Sequence, residues 1–124
     1  YRMGLCKRMG NDMDKRLHIL WTNDNPDTAH RMVFMYAINA LIYGWWDEVT
    51  VIVWGASAKL VAEDASIQDK IQLAMHHGVK VSACIACATQ LGVMDKLLAV
   101  GLEVIPWGQP LTELMQNGEH LLSV

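Results

Sequence analysis

The segment Glu48-Val49-Thr50-Val51-Ile52-Val53-Trp54 constrains the fold more than any other part of the chain. A run that is β-branched or apolar at nearly every position, without alternation, is the mark of a strand buried on both faces, as central strands of parallel sheets are. Parallel neighbours need crossover connections, which are usually helical, so helical sequence should stand on either side of it.

It does. Leu17-His18-Ile19-Leu20-Trp21 reads as a first strand, closed by the turn formers Thr22-Asn23-Asp24-Asn25-Pro26-Asp27. Next comes a helix over Ala29–Tyr43, with Asp27 or Thr28 as its cap and Gly44 as its stop. Beyond the central strand, which ends at Gly55-Ala56-Ser57, a short helical turn spans Ala58–Glu63. A helix then starts at Ser66, with Asp69 completing an imperfect capping box, and stops at Gly78. Val79–Ala83 is a third strand, and a third helix runs from about Ile85 towards Val100, with Gly92 as a weak point. Glu103-Val104-Ile105 is a fourth strand. Pro106-Trp107-Gly108-Gln109-Pro110 opens a last helix with Pro110 in its first turn, and His120–Val124 closes the order as a fifth strand. Strands and helices alternate at short spacing, which predicts a three-layer α/β/α domain with a five-stranded, mostly parallel sheet and helices on both faces.

With 124 residues and 52% hydrophobic content the chain suits one domain with a single core. Residues 1–16 carry five of the ten Lys and Arg and read as a flexible basic arm; residues 17–124 form the domain. That division leaves five basic against eleven acidic residues in 17–124, a net charge of −6 that repels phosphate backbones, so no nucleic-acid partner is expected. No stretch is long and apolar enough to span a membrane or to act as a signal peptide, and three cysteines do not make a disulfide framework. A cytoplasmic protein with reduced thiols is expected.

Ligands of open parallel sheets bind beyond the carboxyl ends of the strands. That rule selects Asn23, Asp24 and Asn25 after strand 1, Gly55 and Ser57 after strand 2, Cys84 and Cys87 after strand 3, and Trp107 after strand 4. His30, in the first turn of helix 1, is the one histidine placed to approach the thiols. A cysteine at a strand-to-helix junction can be reactive, because unpaired N–H groups and the positive end of the helix favour thiolate, the nucleophilic form.

Other readings compete. Ala-Cys-Ile-Ala-Cys-Ala can be a tightly packed segment in which cysteine serves as a small hydrophobe. Zinc would need further ligands, yet His76 and His77 precede strand 3 while Cys84 comes after it, roughly 16 Å away along five residues of strand, and His18 begins strand 1 at that same far edge. No metal and no cofactor is expected. A thioredoxin-like site fits poorly because no antiparallel hairpin signal comes after the motif. Gly55-Ala56-Ser57 lacks both the further glycines of a dinucleotide loop and the Gly-Lys-Ser/Thr of a P-loop.

Val81-Ser82-Ala83-Cys84 followed by Ala88-Thr89-Gln90-Leu91-Gly92-Val93 resembles the DsrE/DsrF-like family, which includes the TusD-type sulfur-relay proteins. In that family an active cysteine ends a strand and a glycine stands eight positions later, as Cys84 and Gly92 do here. The similarity extends over about 17–124, through the polar loop after strand 1, the Ala-rich helix 1 and the glycine after strand 2. The resemblance implies a sulfur carrier that holds sulfane sulfur as a persulfide on Cys84, exchanges it with donor and acceptor proteins, and forms homo- or hetero-oligomers. Cys87 is an additional thiol that many relay members lack, a resolving thiol or a second carrier. The alternative is a non-catalytic oligomeric binding module of the same fold whose cysteines are only packed. Independently of the family, helix 1 is apolar nearly all round, with Ala29, Val33, Tyr36, Ala37, Ala40 and Leu41 inward and Met32, Met35, Ile38 and Ile42 left over. A second subunit is expected to cover that outer face.

Overall fold

The computed structural model describes residues 15–124. Five strands, β1 (Arg16–Trp21), β2 (Glu48–Val53), β3 (Lys80–Cys84), β4 (Glu103–Ile105) and β5 (His120–Ser123), form one sheet in the order β4-β3-β2-β1-β5, and every pairing is parallel. The basic arm assigned to residues 1–16 lies outside the described residues as far as position 14, and so does Cys6; Arg16 is the first residue of β1.

β2 sits in the middle of the sheet, with Val49, Val51, Ile52 and Val53 all buried, as its unbroken apolar run requires. Its odd-numbered residues join Ile19, Trp21 and Ala83 in the main core, whereas Ile52 joins Cys84, Trp107 and Leu114 in a smaller cluster on the opposite face. Successive strand residues point to opposite faces, so parity alone assigns Ser82 and Cys84 to the second face.

Six helices cover the sheet among the described residues. α1 spans 26–42, α2 is Ala56–Glu63, α3 Ala65–His76, α4 Ile85–Gln90, α5 Met94–Val100 and α6 Gly108–Gln116. The first five contribute to the main core, while α6 sets Leu111 and Leu114 against Ile52, Leu20 and Leu121 on the other side. The chain steps outward from β1 to β4 on one face and returns to β5 across the other. The connections leaving β3 and β4 therefore depart to opposite faces, the kind of topological switch beside which ligands of open parallel sheets bind.

Three local expectations are corrected. The cap of α1 is Asn25, whose Oδ1 accepts the Thr28 N–H at 3.0 Å, and that of α3 is Asp64, whose Oδ1 accepts the N–H groups of Ser66 and Ile67 at 2.9 and 3.2 Å. Both lie upstream of the residues expected to cap, because Asn25 and Asp64 keep the extended backbone of a cap while their successors are already helical. Within α1, Ala29–Phe34 is a π-helical stretch. A π-turn holds an extra residue and rotates the rest of the helix about its axis, so Phe34 and Ile38 turn inward and Tyr36 and Leu41 become only partly buried. Finally, the long third helix is two short ones. It breaks at Leu91–Val93, where Gly92 takes φ +68°, a left-handed conformation that a glycine adopts without strain.

Candidate functional site

Cys84 is the last residue of β3 and the N-cap of α4, with φ −75° and ψ 123°, and Cys87 is the third residue of that helix. Both thiols are free. Cys84 is only 4% exposed, set among Ile52, Trp107 and Leu114, whereas Cys87 is partly exposed. The six-residue α4 carries little of the macrodipole that a helix running to Val100 would have offered.

A backbone partner comes from the turn after β2. Gly55 donates its N–H to Cys87 Sγ at 3.2 Å. It does so from φ +71°, ψ −132°, a conformation essentially reserved to glycine, so the turn and the donor are one device. Burial pushes the Cys87 thiol above its ordinary range; the Gly55 N–H pulls it down, and contact with the Cys84 side chain pushes it up again. A thiol held neutral when folded makes the unfolded chain the better acid. Its contribution to stability is full below the ordinary thiol range and is lost as pH rises from there through the raised value of the folded state. Iodoacetamide should therefore alkylate Cys87 more slowly at neutral pH than it does an unperturbed thiol, with a rate that climbs into alkaline pH. In Cys84→Ala the inflection should move down. An inflection below that of a free thiol would contradict this account of the site.

Around Cys87 opens a groove of about 340 Å³ lined by Gly55, Ala56, Lys59, Cys87, Gln90 and Leu91. Of the two thiols, only Cys87 lines it. Beneath, Trp107 is buried and donates its Nε1–H to Ser82 Oγ at 2.8 Å, which fixes the indole in the cluster that holds Cys84.

The remaining sequence-selected residues divide. Gly55 and Trp107 join the thiols. Ser57 is fully buried and has a connecting role: its Oγ donates to the Trp21 carbonyl at 2.6 Å and accepts the Trp54 N–H at 3.0 Å, which ties the ends of β1 and β2 together. Asn23 spends its Oδ1 on the Asn25 N–H at 3.1 Å, and Asp24 is exposed. His30 faces α3, with its Nε2 3.1 Å from Ser66 Oγ. The groove residues Lys59, Gln90 and Leu91 are not among those selected from the sequence. The signal for two of them was there, since Lys59 lies four residues after Gly55 and Gln90 three after Cys87, each about one helical turn on. Among the described residues no group of three His, Cys, Asp or Glu side chains could hold a metal ion, and no helix is long and apolar enough to cross a membrane.

The parallel five-stranded sheet with helices on both faces defines a small open α/β domain, and two free thiols lie at the carboxyl end of its third strand. The chain belongs to the DsrE/DsrF-like family, whose profile matches residues 15–124. Among solved structures it is similar to BT1422 from Bacteroides thetaiotaomicron, a conserved protein of unknown function. The two share 42% identity at a TM-score of 0.88 over 91% of this chain and 97% of that one. Two further structures share the fold at 14% identity. MTH1491 from Methanobacterium thermoautotrophicum, a protein of unknown function, has a TM-score of 0.72 over 90% of this chain and 100% of that one. The ychN protein from E. coli has a TM-score of 0.65 over 89% and 98%. None of the functionally curated proteins matches the chain.

Proposed function

We propose that this protein is a cytoplasmic sulfur carrier of the TusD-type relay kind, which holds sulfane sulfur as a cysteine persulfide on the Cys84/Cys87 pair. The observation that carries this reading is the placement of two free thiols one helical turn apart at the ligand edge of the sheet, with one lining a groove. A donor persulfide or polysulfide reaches Cys84 directly or by way of the more exposed Cys87. Thiolate attacks the donor's outer sulfur, the donor's S–S bond breaks, and the donor leaves as thiolate; where Cys87 is loaded first, the same exchange then moves the sulfur to Cys84, where apolar walls shelter it from water. No metal and no general base is needed for these steps.

The competing reading, a binding module with packed cysteines, draws on the burial of Cys84. One experiment separates the two. The reduced chain is treated with inorganic polysulfide, desalted and cut with trypsin, which releases residues 81–96 with both thiols. A gain of one sulfur atom on that peptide, removed by cyanide, is the expected result. An unmodified peptide under conditions that load other protein persulfides would leave only the binding module.

Assembly belongs to the same proposal. Met35 and Ile42 of α1 are exposed together with Tyr43 and Trp45, whose rings stack at 5.4 Å, and such an apolar surface is more than a monomer usually leaves bare. We expect sedimentation at micromolar concentration to give a dimer or larger assembly, and Met35→Glu to shift it towards monomer. A monomer for the wild type would end this part of the proposal.

A further inference from the structure

The two thiols are placed to react with each other as well as with a donor. Cys84 is the N-cap and Cys87 the N3 residue of α4. Side chains at those two positions face one another across the first turn, which is why a capping box links them. Two helical residues three apart have Cβ atoms about 5–6 Å apart and a disulfide needs about 3.5–4.5 Å, so the bridge asks for a shift of about 1–2 Å, which the extended N-cap backbone of Cys84 and the short, six-residue α4 can supply. Cys87 packs against the cluster that holds Cys84, and the Gly55 N–H fixes Cys87 Sγ at 3.2 Å; burial raises the Cys87 thiol, so the step it carries out should quicken towards alkaline pH.

We infer that Cys87 is a resolving thiol that converts the sulfur held on Cys84 into free hydrosulfide. This rests on the carrier reading above. Cys87 thiolate attacks the Cys84 sulfur atom, the bond from that atom to the terminal sulfur breaks, and the terminal sulfur leaves as hydrosulfide while a Cys84–Cys87 disulfide forms. The sulfane sulfur takes up two electrons and the two cysteines supply them. The proton lost by Cys87 is the one the leaving sulfide carries or passes to water. A dithiol reductant reopens the bridge by attacking the Cys87 sulfur, the one reached from the groove, with Cys84 as leaving thiolate. The pair would thus make the domain a site of reductive sulfur release as well as a carrier.

The test uses the full chain in a Cys6→Ser background, so that Cys6 cannot act as the second thiol. Reduced protein is loaded with inorganic polysulfide, desalted, and monitored by intact mass and by sulfide assay. Wild type at 84 and 87 should gain one sulfur and then lose it together with two hydrogens, with one hydrosulfide released per bridge formed on the peptide 81–96. Cys87→Ser and Cys87→Ala, the second of which preserves the apolar contacts, should keep the sulfur on Cys84 at least about tenfold longer. Equal persistence in all three, or sulfide release without a bridge, overturns the resolving role and leaves the carrier reading standing. If none of them gains sulfur, the carrier reading fails and this one with it.

Discussion

Replacing Trp107 by alanine is expected to destabilise the domain by about 3–5 kcal/mol, the range for a buried tryptophan. That is a large part of the roughly 5–15 kcal/mol that holds an ordinary domain together, and it corresponds to a fall in melting temperature of roughly 10–20 °C for a chain of this size. The reason is position. Trp107 follows β4, packs with Ile52, Cys84 and Leu114, and satisfies Ser82 Oγ through its indole N–H. Alanine would leave a cavity on the thinly covered face, where α6 and Cys87 of α4 supply the helical cover. It would also expose Cys84, so in the surviving folded fraction Cys84 should become open to alkylation. Thermal unfolding and peptide-resolved alkylation read the two effects separately. A loss under about 1 kcal/mol, below the usual cost of large-to-small core changes, would show that the cluster does not depend on the indole.

The second large effect is chemical. Cys84→Ser should abolish stable sulfur retention on the peptide 81–96, a drop of about a hundredfold or more, because thiol exchange has no oxygen counterpart at neutral pH. Stability should fall by about 1–3 kcal/mol, since the hydroxyl would enter the cluster of Ile52, Trp107 and Leu114 without the partners that Ser82 Oγ has, and the loading is read on the folded variant. Cys87 can still meet the donor in this variant, but its persulfide opens to the groove and should be lost within the washing step. Mass measurement before and after desalting checks this. Retention on Cys87 equal to that of the wild type would move the carrier role from Cys84 to Cys87 and remove the case for an internal transfer.

Much of this molecule is written locally. Residues 48–54 encode a two-sided strand whatever surrounds them, because β-branched side chains at nearly every position leave no polar face for solvent. The glycines at 44, 55, 78 and 118 each take a positive φ where the sequence marks an element's end, and the placement of Cys84 at a strand-to-helix junction comes from run lengths alone. The caps at Asn25 and Asp64 and the break at Gly92 are within reach of the same local rules. They stay ambiguous in sequence because two or three neighbouring residues could do the same task.

Beyond local reading lie the features that depend on elements far apart in sequence. The π-turn in α1 makes Ile38 point inward, and a helical wheel of constant pitch has no place for it. His30 stands within one turn of the strand-end loop yet finds Ser66, since the packing of α1 on α3 sets its direction. The two cysteines show the division most sharply. Sequence parity places Cys84 on the same side as Ser82, but only the return of the chain from β4 to β5 brings Trp107 and α6 over that side and buries it. Cys87 gains its hydrogen bond and its groove from Gly55 and Lys59, about thirty residues away along the chain and adjacent only because β2 and β3 pair. Local patterning is enough to bring two thiols to the ligand edge of a parallel sheet. Which of them faces solvent is set by the layers that close over the strand, because burial belongs to those layers and not to the strand itself.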